Sequence, residues 1–179
     1  MNIRNTVLTF CLLFLTVPSL AQEPNRFINL PLEVLADTWL TRNCGIDEES
    51  QLEIAVARRG EALQAIFLGA WREGAPEEKL RVTRAAAAER FQRNRTLLED
   101  PESLGLGEAD LARFKARSEE GFVMRSVDNY DFGYRSQALR GLYFAGGAAG
   151  REIVEATALD GQSPFNSIAR LVLEDQEDG

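Results

Sequence analysis

Six basic side chains crowd one short stretch of an otherwise acidic chain. Lys79, Arg81, Arg84, Arg90, Arg93 and Arg95 are opposed there by Glu89 alone. Arginine presents a planar fork of donors that matches carboxylates and phosphates in bidentate fashion. At 100° per residue, Arg81, Arg84 and Arg95 fall on one side of a helix and Arg90 and Arg93 on the other. Two roles suit this pattern. One is a solvated face paired with the acidic run Glu99, Asp100, Glu102, Glu108 and Asp110 or with the acidic end of the chain. The other is a dock for an anionic partner, such as another protein, a cell-wall polymer or lipid head groups.

The rest of the reactive inventory is thin. The chain has no histidine. That excludes Ser-His-Asp and Cys-His catalysis, histidine metal sites and the ordinary neutral-pH proton shuttle. The only lysines are Lys79 and Lys115, and Pro76 and Ala112 stand three residues before them, so there is no Ser-x-x-Lys arrangement. Proton transfer is left to Asp, Glu, Tyr or Cys44. A pair of carboxylates brought together by the fold would suit a cell-envelope hydrolase. An apolar space between helices would suit a small-ligand carrier.

Three further patterns are weaker. Gly146-Gly147-Ala148-Ala149-Gly150-Arg151 places bare amides at a helix start, but a phosphate loop needs a preceding strand, and neither strand nor loop lysine is there. Asp128-Asn129-Tyr130-Asp131 offers oxygen ligands, yet Leu139 stands where a calcium loop needs its closing glutamate. The residues read instead as a turn with Asp131 capping the next helix. Tyr130, Phe132 and Tyr134 lie in the same stretch, and Tyr130 and Tyr134 are candidates for an exposed aromatic surface.

The elements that carry these residues are helical. Leu32, Leu35, Ala36, Trp39 and Leu40 follow Asn29 at helical spacing, and Gly45 stops them. Ser50-Gln51-Leu52-Glu53 has the form of a capping box. It opens a long helix through Leu63, Phe67 and Trp71 to Gly74, with Gly60 in its middle. Pro76-Glu77-Glu78 starts the basic helix, with Leu80, Ala87, Phe91 and Leu98 inward, and Pro101 ends it. A helix from Glu108 carries Leu111, Phe114, Ser118 and Phe122. The next runs from Asp131 to Gly146-Gly147, a short one holds Ile153, Val154, Thr157 and Ala158, and Ser163-Pro164 opens the last. No segment alternates with period two. The expectation is an all-α fold of six to seven antiparallel amphipathic helices, as a helical bundle or a short helix-hairpin, solenoid-like array.

Residues 61–68 and 137–144 share similar lettering 76 residues apart, near twice a helical-hairpin repeat, but no third copy stands at the midpoint. Chance likeness between two amphipathic helices accounts for it, and no family is recognised.

Compartment is read from residues 1–21. Arg4 precedes the apolar run Val7–Val17, Pro18 breaks it, and Ser19-Leu20-Ala21 is a small-residue cleavage site. The run falls well short of the roughly 20 residues of a membrane span. A signal peptide is therefore expected, with the chain exported to the periplasm or the medium. A single helical domain over 22–179 follows, with 22–28 as a linker and 174–179 as a frayed acidic tail. Loss of Arg4 takes the net charge from −8 to −9, which repels nucleic acid. Cys11 leaves with the leader, so Cys44 is a lone free thiol and no intramolecular disulfide forms. No cofactor is expected. The leading expectation is a non-enzymatic, macromolecule-binding exported module with another protein or an anionic envelope component as partner.

Overall fold

The computed structural model describes residues 25–42, 46–98 and 107–174, without the side chains of 46–48. Every element among them is helical: α1 Leu32–Leu40, α2 Ile46–Arg59, α3 Glu61–Glu73, α4 Glu77–Leu97, α5 Glu108–Lys115, α6 Glu119–Phe144, α7 Ala148–Leu159 and α8 Asn166–Glu174. The all-α expectation holds. Eight helices stand among the described residues where six to seven are expected, and the division differs at three internal boundaries, each with a physical cause.

Gly60 does not sit inside one long helix. It adopts φ 46°, a left-handed conformation that costs any residue with a Cβ, and separates α2 from α3. The chain therefore turns between Arg59 and Glu61. Ser50 accordingly lies inside α2 and caps nothing, because α2 already starts at Ile46.

Ser118 interrupts what reads as one helix from Glu108. Its backbone is extended and its hydroxyl accepts a hydrogen bond from the Gly121 amide at 3.1 Å, so α6 begins anew there. Glu119 and Glu120 then occupy the positive first turn.

The Asp128–Asp131 segment is not a turn. It lies within α6, which runs unbroken for 26 residues. Local turn preference loses to packing along the whole helix. Asp131 caps no helix of its own. Its carboxylate reaches across to the α3–α4 connection and accepts the Ala75 amide N–H at 2.7 Å.

The C-terminal half of α6 forms the middle of the fold. α6 packs against α1, α2, α3, α4, α7 and α8. Trp39, Phe67, Leu35, Leu52, Leu63 and Leu142 fill the larger core around it. The Trp39 ring edges against Phe144 at 5.5 Å, and its indole N–H donates to the Gln137 carbonyl at 2.6 Å. A smaller core joins Leu139 of α6 to Val154 and Ala158 of α7, Phe165 of the α7–α8 connection, and Ala169 and Val172 of α8. Trp71 and Ile153 border both cores.

Residues 25–30, inside and just after the expected linker, are held down. Phe27 is buried in the main core, the Asn25 side chain donates to the Gln51 carbonyl at 2.6 Å, and the Arg59 guanidinium donates to the carbonyls of Ile28 and Leu30. At the other end of the fold Ser163 accepts from the Phe165 amide, and helix α8 follows from Asn166, slightly later than Ser163-Pro164 suggests.

Candidate functional site

The basic stretch occupies α4, and α4 is mostly outside the core. Of its 21 residues only Ala87 and Phe91 are buried. No residue of 81–98 or 107–129 belongs to either core. The first half of α6 matches it: no residue of 119–133 is fully buried. These two half-helices pack on each other, with the rings of Phe91 and Phe122 5.7 Å apart. At their far end Phe91, Asn94, Arg95, Leu98, Phe114, Arg117 and Phe122 surround a small apolar depression. Together with α5 they form an arm on the compact part of the fold. At 1.5 Å per residue, α4 is about 31 Å long.

The root of the arm is fixed by charge. Lys79 of α4 pairs with Asp37 of α1 at 2.7 Å. Asp131 of α6 holds the start of α4 through Ala75. Arg135 of α6 donates to the Trp71 and Arg72 carbonyls at 2.9 and 3.1 Å, near the end of α3 where a cation suits the helix dipole.

All five arginines singled out on this helix are exposed. They divide into two groups. Arg81 pairs with Glu78 at 2.7 Å and Arg84 with Glu77 at 3.4 Å, both within the same helix. The Arg81 guanidinium holds its proton more firmly than usual because of the Glu78 bond, against a smaller opposing effect of burial. Arg90, Arg93 and Arg95 have no ion pair, hydrogen bond or ring contact among the described residues. Of the acidic run expected to neutralise them, Asp110 pairs with Arg113 of its own helix instead. Residues 99–102 lie outside the described residues.

Beside Arg90 runs a groove of about 430 Å3 between α4 and α6. Val82, Thr83, Ala86, Ala87 and Arg90 form one wall, and Ser126, Asn129 and Tyr130 the other. No carboxylate among the described residues lines it. The groove escapes sequence reading because its α6 wall sits in the segment that reads as a turn.

The aromatic expectation needs correction. Tyr134 is buried, at 7% exposure, because α6 enters the core at that position. Tyr130 is half-buried, stacks on Tyr134 at 6.4 Å and shows an edge to the groove. Burial, aided by Asp37 and Tyr130, raises the Tyr134 phenol above the ordinary tyrosine range. Phe132 is the exposed aromatic of the stretch, and it stacks on Phe165 at 4.8 Å. Cys44 lies outside the described residues.

The other chemistries find less support in geometry. The described carboxylates include no fully buried one. Glu49 and Glu53 are close, but guanidinium groups engage their oxygens: Arg42 reaches Glu49 at 2.7 Å, and Arg140 reaches Glu49 and Glu53 at 3.4 and 3.7 Å. No group of three or more metal-ligating side chains converges among the described residues. At the Gly146-Gly147 turn the Gly146 N–H donates to the Tyr143 carbonyl, and the Gly146 carbonyl accepts from the Gln64 side-chain amide. Among the described residues, no helix is long and apolar enough to cross a membrane.

No family model, no curated protein and no solved structure matches the chain. The reading of function therefore rests on the arm and its charge.

Proposed function

We propose that this protein is an exported, non-enzymatic interaction module, and that the α4 arm is its docking element. The carrying observation is that Arg90, Arg93 and Arg95 stand exposed and without partners among the described residues, in a chain of net charge −8. An acidic protein gains nothing in folding from three like charges crowded on one helix, whereas a partner's carboxylates gain a bidentate site at each. The packed root of the arm presents them on a rigid rod, which lowers the ordering cost of binding.

The partner is an anionic surface, either a protein or an envelope component. The acidic remainder of the chain disfavours nucleic acid at long range. Export follows from the leader reading of residues 1–21 and places the working form, starting near Gln22, in the periplasm or the medium. The antiparallel, bundle-like arrangement of the helices belongs to the same proposal.

The test is retention. Immobilised mature chain is exposed to a cell-envelope extract beside an Arg90→Glu/Arg93→Glu/Arg95→Glu variant. Wild type is expected to retain a specific partner that elutes with rising salt, and the variant to retain none. Equal retention by both forms would defeat the proposal. Mass spectrometry of the exported chain checks the compartment: an intact leader would count against export by cleavage.

A further inference from the structure

The groove beside Arg90 says more about the partner than charge alone. Two helices packed side by side leave a valley into which a third rod fits. On this flank the valley is lined in part by small side chains, Ala86, Ala87 and Ser126, so a visiting backbone can come close. Val82, 57% exposed, supplies an apolar edge at one end. Arg90 stands on the wall and Arg93 continues the same flank one turn later. Thr83, Asn129 and Tyr130 add neutral hydrogen-bonding groups.

A flat bilayer does not enter a concave valley, and a bare anion leaves Val82 and the alanines uncovered. A helix with one acidic and one apolar edge satisfies both parts. We propose that the α4–α6 groove receives an acidic amphipathic helix of a partner protein. This deepens the docking reading above and rests on it. The visiting carboxylates pair with Arg90 and Arg93, and the apolar edge covers Val82 and Ala86, in the manner of helix-in-groove recognition. Val82 to Arg90 spans about 12 Å, roughly two turns of a partner helix. Arg90 and Arg93 are three apart, so the partner needs carboxylates about one helical turn apart.

The experiment places a photo-crosslinking residue at Ala86, in the groove, or at Ala85, exposed on the opposite flank, in the full exported chain. The Ala86 probe is expected to join a partner protein at least ten times more efficiently than the Ala85 probe. The joined peptide should carry Asp or Glu at i, i+3 or i, i+4 beside apolar residues. That peptide, synthesised, should bind the mature chain, and binding should weaken at least tenfold in Arg90→Ala/Arg93→Ala and in Ala86→Trp. Ala86→Gln, a smaller change at an exposed site, serves if the tryptophan disturbs folding by circular dichroism. Equal crosslinking at both positions, or crosslinks to lipid, to the acidic tail or to a second copy, would overturn the groove proposal. If charge reversal removes the partner but Ala86→Trp and Ala86→Gln leave it bound, the arm reading stands and the groove falls. If no form captures a partner, both fall.

Discussion

The Asp131 carboxylate on α6 accepts the backbone N–H of Ala75 at 2.7 Å, 56 positions away in the chain. That bond ties the α3–α4 connection to the central helix and sets where the arm leaves the core. It is charge-assisted and half-buried, a class of bond stronger than its neutral counterpart. Asp131→Ala should lower stability by about 1–2 kcal/mol. Urea denaturation checks this, and a midpoint equal to wild type would show that the bond does not hold the turn.

Gly60 gives a prediction whose sign separates two structures. In a continuous helix, Gly60→Ala would stabilise by about 1 kcal/mol. At φ 46° the same substitution forces a Cβ into the left-handed region and should destabilise by about 1–2 kcal/mol. Thermal unfolding of the variant decides between a bend and a straight helix.

Tyr134 sets an alkaline limit. Its folded-state pKa lies above the usual tyrosine value through burial, with Asp37 and Tyr130 adding to it. Above the ordinary tyrosine range, near pH 10, the unfolded chain loses this proton while the folded chain keeps it. The unfolded state then binds fewer protons, so stability falls as pH rises. The contribution is complete below that range and is lost as pH climbs through the folded pKa. Tyr134→Phe should flatten this alkaline decline. A stability–pH curve for the variant that parallels wild type would refute the assignment.

Helical periodicity and stop signals were legible wherever a helix buries a stripe, as with Leu35, Ala36, Trp39 and Leu40 in α1. The α6 boundary was not. Asp128, Asn129 and Asp131 favour turns locally, and long-range packing of α6, in this half against α4, holds them helical. The same reason hid the burial of Tyr134. The arginines were legible as a charge cluster, but their pairing was not. Glu77 and Glu78, useful for the helix dipole, also engage Arg84 and Arg81, which leaves Arg90, Arg93 and Arg95 as the members of that cluster without a partner among the described residues.

Charge reversal at those three positions should leave folding intact. They are exposed and contact neither core. Surface substitutions of this kind rarely disturb a folded state. The helical circular dichroism spectrum and the urea midpoint of Arg90→Glu/Arg93→Glu/Arg95→Glu should match wild type. A lowered midpoint would mean that the arginines serve the fold itself.

Whether the arm docks a partner is decided by in-cell crosslinking with mass spectrometry. Three forms of the exported chain are compared: wild type, Arg90→Glu/Arg93→Glu/Arg95→Glu, and a control with the same charge change at exposed sites off the arm, Arg58→Glu/Arg72→Glu/Arg170→Glu. One dominant partner is expected to join wild type and control alike and to be lost from the arm variant alone. A partner retained by the arm variant, or lost equally from both variants, would overturn the docking proposal.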